Sequence, residues 1–165
     1  EVGAAGQGKG RDVEWPGGLG RKGNEGVAGQ VKQLAGSIGY VELIYARQNR
    51  ISYASVKNSS GAFIDATIAS ITEAAAGVAK GLPKNTDFRV SIVNAPGKGA
   101  YPISSMTWLL VYKNQMNADK GKKLVDFLKW MLADGQKSAA ALDFAPLPPA
   151  IVQQVHARVA EIKVS

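Results

Sequence analysis

Cysteine is absent, which excludes disulfide cross-links, thiolate catalysis and any zinc site built on sulfur. The sequence holds one histidine, His156, and no Ser, Asp or Cys pattern near it identifies a catalytic partner. A lone helix histidine reads as surface or local packing, and no grouping of residues points to a metal cluster. No apolar run is long enough to cross a bilayer, and no charged and apolar leader opens the chain. The expectation is a soluble chain whose export signal has been removed or lies upstream. No RNA- or DNA-binding motif and no long basic tail is present, so no nucleic-acid partner is expected.

What is there suffices for a core. The chain has 165 residues, of which 45% are apolar, enough for one ordinary domain. Lys and Arg outnumber Asp and Glu by 20 to 13, a formal net charge of +7 that raises anions, an anionic surface or nucleic acid as partners. The cations are scattered, however, and Lys120, Lys122 and Lys123 interleave with Asp119 and Asp126 as on a solvated face. The opening EVGAAGQGKGR, residues 1–11, has no apolar periodicity and no initiating Met. It reads equally as a mature N-terminus or as a cut inside a longer protein.

Gly17, Gly18, Gly20 and Gly23 form a loop, after which Asn24 is a reasonable N-cap for a helix starting at Glu25 and ending near Gly36. Val27, Val31 and Leu34 share one face of it. Ile38 to Val41 reads as a strand, with Glu42 to Arg47 able to turn helical; a second short strand is expected near Ile51 to Val56, then a turn from Lys57 to Gly61. Asn58-Ser59-Ser60 matches the glycosylation sequon, a tripeptide common by chance. A helix is expected from Asp65 to Lys80, with Ile64, Ile68, Ile71, Ala75 and Val78 as its stripe. Phe88 to Val93 alternates as a strand, and Asn94 to Pro102, NAPGKGAYP, breaks regular structure. Met106 to Tyr112, MTWLLVY, is the continuous apolar run of a strand covered on both faces. Asp119 to Asp134 is amphipathic, with Leu124, Phe127, Leu128 and Met131 as the buried stripe. A further helix is expected from Gln136 to Leu142. The last one carries Ile151, Val155, Val159 and Ile162 inward, with Pro149 in its first turn. Helices alternating with short strands make an α/β pattern.

Trp15 to Asn49, WPGGLGRKGNEGVAGQVKQLAGSIGYVELIYARQN, resembles the phosphate-binding proteins of phosphate ABC importers. So do Tyr101 to Val111, YPISSMTWLLV, the helix near Lys123 to Trp130, and Leu142 to Val155, LDFAPLPPAIVQQV. The resemblance covers nearly the whole chain. It implies part of a type II periplasmic-binding-protein fold, portions of two α/β lobes joined by a crossover. Residues 1–96 would be the later part of the second lobe and residues 97–165 the return into the first, with the hinge near residues 94–102.

Members of that family are longer and close two lobes on phosphate. They hold it with helix N-termini, hydroxyls, an arginine and an acidic group, supplied by an early Thr-Phe pair, a Ser, an Asp and an Arg followed by Ser-Gly-Thr. All of these precede the Trp-Pro-x-Gly block with which the resemblance begins, and Ser-Gly-Thr does not occur here. No phosphate ligand is therefore carried over. The resemblance implies a binding protein without cofactor or catalysis, in the periplasm or otherwise outside the cytoplasm. Its partners would be inorganic phosphate in the complete receptor, the membrane permease of the importer, and a complementary N-terminal half. The alternative is a stand-alone half-receptor that pairs with a second copy or a complementary chain, because incomplete sheets leave edge strands open.

Arg21, Lys22, Gly23 and Asn24 at a helix start could form an anion nest, since free N–H groups and the helix dipole favour negative charge. The same residues read as a tight capped turn, which the family's ligand positions favour. Gly20, Gly23 and Gly26 lack the full dinucleotide fingerprint and the lysine-serine ending of a P-loop. Ser104, Ser105 and Thr107 follow the crossover, either lining a cleft mouth or supporting backbone. Trp15, Trp108 and Trp130 are read as core or turn packing rather than stacking platforms. Glu42 and Asp143 have no acidic neighbour in sequence.

Overall fold

In the computed structural model the described residues are 15–164. They form two compact units that part between Ile51 and Ser52. Both consist of helices joined by extended chain, with two small sheets in the second unit, so the coarse α/β expectation holds.

The first unit has helices α1, Gly23–Gln33, and α2, Leu43–Gln48. Helix α1 starts two residues before the expected Glu25, and Lys22 rather than Asn24 takes the N-cap position, without a side-chain cap bond. Asn24 is used elsewhere: its Oδ1 accepts from the Glu42 N–H at 3.0 Å, tying the start of α1 to the start of α2. The strand expected over Ile38 to Val41 is not formed. Gly39 instead lies so close to α1 that a Cβ there would come within 2.9 Å of the Val27 and Val31 methyls. Backbone contact with a helix has taken the place of a ladder, leaving Ile38 and Tyr40 exposed. The helical option for Glu42 to Arg47 is realised as α2.

In the second unit, β1, Val56–Lys57, pairs antiparallel with β2, Phe63–Ile64, so only Val56 of the strand expected over Ile51 to Val56 enters a ladder. The turn between them follows the expected Lys57 to Gly61 span, with the Gly61 N–H donating to the Asn58 carbonyl. Helix α3, Ile68–Ala79, begins in a capping box in which Thr67 and Ser70 satisfy each other's backbone N–H. Strand β3, Asn114–Gln115, leads into α4, Ala118–Leu132, capped by Asn117 Oδ1 on the Lys120 N–H at 2.9 Å. Helix α5, Gln136–Ala139, runs into a 3-10 turn, Ala140–Leu142. Helix α6, Pro149–Val159, has Pro149 in its first turn and is followed by β4, Lys163–Val164, parallel to β3.

Two apolar clusters hold this unit. Ala74, Ala75 and Ala79 of α3 pack with Ile92, Ala95, Ala100 and Ile151. Leu128 and Leu132 of α4 pack with Val159, and Leu147 and Val155 touch both clusters. Small alanine side chains let α3 approach the chain at residues 92–100 closely; Ile92 and Ile151 are the largest side chains fully withdrawn from water, a gain of about 2 kcal/mol each.

Three sequence expectations need correction here. Phe88 to Val93 keeps its alternation, with Phe88, Val90 and Ile92 turned inward and Arg89, Ser91 and Val93 outward, but it joins no ladder, and Phe88 sits at φ +60° with its carbonyl accepting from the Val90 N–H. Met106 to Tyr112 likewise joins no ladder, and it is not covered on both faces: Leu110 is 97% exposed. A run of this composition is a strand only when neighbours supply backbone partners, and none of the described segments does. Third, Phe127 does not join the buried stripe of α4; it is exposed and stacks on Trp130 at 5.8 Å between ring centres. Leu132 takes the inward position.

Candidate functional site

The Gly/Pro break at residues 94–102 is the most firmly tied irregular segment of the second unit. Asn58, in the β1–β2 turn, is buried, and its Nδ2 donates toward the carbonyls of Gly97, Lys98 and Ala100 at 3.2, 2.9 and 3.1 Å. An amide nitrogen has only two hydrogens, so these contacts share them. On the other side, Asn58 Oδ1 accepts from the Ser60 N–H, the Ser60 hydroxyl and the Ala62 N–H. Every polar atom of this side chain is thus engaged. Glu73 Oε1 accepts from the Gly99 N–H at 2.8 Å, and the Tyr101 N–H donates to the Ser70 carbonyl at 3.0 Å. Partial burial pushes the Tyr101 phenol above its ordinary pKa.

On either side of this loop the chain runs back antiparallel to itself. The Asn94 N–H donates to the Pro102 carbonyl at 2.8 Å, and Trp108 Nε1 donates to the Phe88 carbonyl at 2.7 Å. Between those two ties the strands splay apart into a groove of ≈ 340 Å³, lined by residues 89–93, Ser104, Ser105, Met106 and Trp108. Its one cation, Arg89, is exposed and paired with Asp87 at 2.6 Å, which holds the Asp87 carboxyl below the usual range. A second groove of ≈ 310 Å³ lies beside residues 109–112, Gln115, Leu124, Phe127 and Leu128, without a charged lining residue. In the first groove the Ser104 and Ser105 hydroxyls donate to the chain's own Tyr101 and Met106 carbonyls, at 2.8 and 3.4 Å.

Lys22, Gly23 and Asn24 do lie at a helix N-terminus, with Gly23 at φ +67°. The negative charge beside it is the chain's own: a Cβ on Gly23 would fall 2.9 Å from Glu25 Oε2, and Glu25 Oε1 accepts from the Tyr45 hydroxyl at 3.2 Å. That carboxylate raises the Tyr45 pKa. Ser104 is buried and its hydroxyl donates to the Tyr101 carbonyl at 2.8 Å, the backbone-support role; Ser105 and Thr107 are exposed. His156 is exposed on α6. Trp108 donates to the Phe88 carbonyl but is itself exposed, as are Trp15 and Trp130, so none of the three is a core residue. Among the described residues no three His, Asp or Glu side chains are grouped to hold a metal ion, and no helix is long and apolar enough to cross a membrane. The Asn58 clasp was the feature sequence reasoning missed. Its only signal was an Asn in a turn, and its carbonyl partners lie some forty positions away.

In sequence the chain is similar to one part of the phosphate-binding proteins. Phosphate-binding protein PstS of Xylella fastidiosa is 45% identical over 150 residues, covering 91% of this chain and 41% of the relative. The proteins of the same name from Pasteurella multocida and Methanocaldococcus jannaschii are each 35% identical, over 92% and 79% of this chain and 43% and 37% of their own lengths. The chain therefore matches a partial phosphate-binding protein, spanning about two fifths of the length of these relatives. No family profile matches it.

Proposed function

We propose that this chain is the C-terminal part of an extracytoplasmic phosphate-binding receptor for an ABC importer, and that it supplies lobe scaffold and hinge rather than the main phosphate ligands. The observation that carries this reading is the 45% identity over 150 residues to a phosphate-binding protein. Residues 1–96 belong, on this reading, to the second lobe of a type II periplasmic-binding-protein fold and residues 97–165 to the first, with the hinge at residues 94–102. The clasp on that loop supports it: Asn58 and Glu73 hold a segment with no ladder of its own, as a crossover must be held if two lobes are to move about it. On this reading a complementary N-terminal half brings the arginine, hydroxyl and acidic ligands, while the groove hydroxyls of Ser104 and Ser105 stay on the chain's own carbonyls. The permease of the importer would be the partner of the assembled receptor, and no catalytic step is assigned to this chain. The start of α1, Lys22 to Asn24, serves as a structural turn whose dipole Glu25 already satisfies.

Isothermal calorimetry with inorganic phosphate tests the reading. The chain alone should show no micromolar binding, and addition of the part of the Xylella fastidiosa protein that lies outside the aligned block should restore it. Tight binding by the chain alone would overturn the division of labour. The second reading, a stand-alone half that pairs with its own copy, is favoured by one feature, the exposed apolar run near Leu110. Light scattering separates the two, since self-pairing predicts twice the 17.3 kDa chain mass without any added polypeptide.

A further inference from the structure

Lys84 and Lys98 are exposed lysines in two irregular segments of the second unit. Exposed loop lysines are where trypsin-like proteases nick a folded chain, provided that the backbone around them can be lifted out. Such an enzyme takes the Lys side chain in its specificity pocket and must bring the scissile carbonyl oxygen to its own oxyanion-hole donors. At Lys84–Asn85 nothing stands in the way: both residues are exposed, and neither the Lys84 carbonyl nor the Asn85 N–H takes part in a hydrogen bond among the described residues. At Lys98–Gly99 the chain's own side chains hold both groups. The Lys98 carbonyl accepts from Asn58 Nδ2 at 2.9 Å, and the Gly99 N–H donates to Glu73 Oε1 at 2.8 Å. The carbonyls of Gly97 and Ala100 accept from the same Asn58 nitrogen, and the Tyr101 N–H donates to the Ser70 carbonyl. Ala95 and Ala100, on either side of the bond, are buried in the α3 cluster.

We infer that Lys98–Gly99 is a latent cleavage site for a trypsin-like protease, kept closed by Glu73 and Asn58. The Lys98 side chain is on display, between two glycines that put no side chain of their own in the way of a specificity pocket. Its peptide bond is not. An enzyme has to take the Lys98 oxygen from Asn58, free the Gly99 N–H from Glu73 and draw Ala100 out of its cluster before the bond can be attacked. The net reaction is hydrolysis: the oxygen of water bonds to the Lys98 carbonyl carbon, the C–N bond breaks, and Gly99 leaves as an amine that takes up the proton. Glu73 is the half of the guard that yields more readily. It is exposed on α3, and its carboxylate lies against the backbone of the loop, 3.0 Å from where a Cβ on Gly97 would stand. Asn58 is buried and also holds the β1–β2 turn, so it opens only with the fold around it. Site and guard both lie in this chain, and the inference does not depend on the receptor reading.

Limited digestion of the full chain with trypsin, read by mass spectrometry of the fragments, tests it against two other lysines. Lys84 reports a bond that is open in the folded chain. Lys129 is exposed as well but sits inside α4, so its bond is reached only when that helix unfolds. Initial rates are compared, before a first cut loosens the remainder. Cleavage of a guarded bond follows the population of the opened form, so cutting after Lys98 should keep pace with Lys129 and run slower than after Lys84 by about 100-fold or more. Glu73→Ala removes one guard at an exposed position, and should speed cutting after Lys98 by about tenfold or more while leaving Lys129 unchanged. Cutting after Lys98 as fast as after Lys84 in the unsubstituted chain overturns the inference. So does a Glu73→Ala chain in which the Lys98 rate stays as it was, or rises only in step with Lys129, since the bond is then closed by the fold as a whole.

Discussion

The loop at residues 94–102 and the run at residues 104–112 are neighbours in sequence and opposites in structure. The loop carries two prolines and two glycines, joins no ladder, and is nevertheless held by Asn58, Glu73 and Ser70, with Ala95 and Ala100 almost fully buried. The run has the strongest strand composition in the chain and makes no backbone pair. The difference lies in where each gets its partners. Loop carbonyls accept from side chains that this chain contains, whereas a strand's groups need another strand, and side chains rarely substitute for a whole ladder.

The contrast breaks most sharply at Asn58. Asn58→Ala removes the donor shared by three carbonyls, that of Ala100 buried, and the acceptor for the β1–β2 turn, and should destabilise the second unit by about 3 kcal/mol in urea unfolding. Asn58→Asp, which keeps the turn acceptor but points a carboxylate at those carbonyls, should do no better. A neutral outcome for either would mean that the loop is held by something other than this amide.

Gly77 sharpens the same point from the α3 side. Glycine to alanine inside a helix normally gains about 1 kcal/mol. Here a Cβ would overlap the Pro96 carbonyl oxygen, a backbone atom that can yield only if the loop moves. Overpacking of this kind costs about 1–3 kcal/mol, so Gly77→Ala should lower the melting temperature despite the better helix propensity. A rise would show that the loop is free to shift.

Acid should loosen the β3–β4 seam more gently. The Lys113 ammonium, hydrogen-bonded to Glu161 at 2.9 Å, and then Arg158 hold the Glu161 carboxyl below its ordinary value. A depressed folded pKa means that its contribution is present above the ordinary value of about 4.3 and is lost as pH falls through the lower, folded one. The pair is exposed and screened by salt, so the effect is small. Exchange of the Lys163 amide should quicken only in that acid window, and Glu161→Gln should abolish the dependence.

The smallest effect belongs to the run itself. Leu110→Lys should leave the stability of the isolated chain within about 0.5 kcal/mol, because a side chain that is 97% exposed has no packing to lose. A large loss would place Leu110 in a core.

Most helices were legible in the sequence because their signals are local. The stripe of α4 apart from Phe127, Pro149 at the start of α6 and the apolar period of α3 need nothing beyond one or two turns of chain. Strands were legible as alternation but not as sheet: residues 88–93 turn inward and outward as expected and still lack a ladder. The candidate site was read less well. The Lys22–Asn24 turn was located correctly on a helix start, but that Asn24 bonds Glu42 and that Glu25 supplies the local charge depended on the return of the chain at α2.

By itself the sequence determined the helices, the likeness to the phosphate-binding proteins and the irregular break at 94–102, since each is written in residues close together in the chain. Tertiary structure alone decided that the break is clasped and that the apolar run after it stands open. Asn58 meets its carbonyls only after the chain has returned some forty residues later, and an unmatched strand edge is a property of what lies beside it.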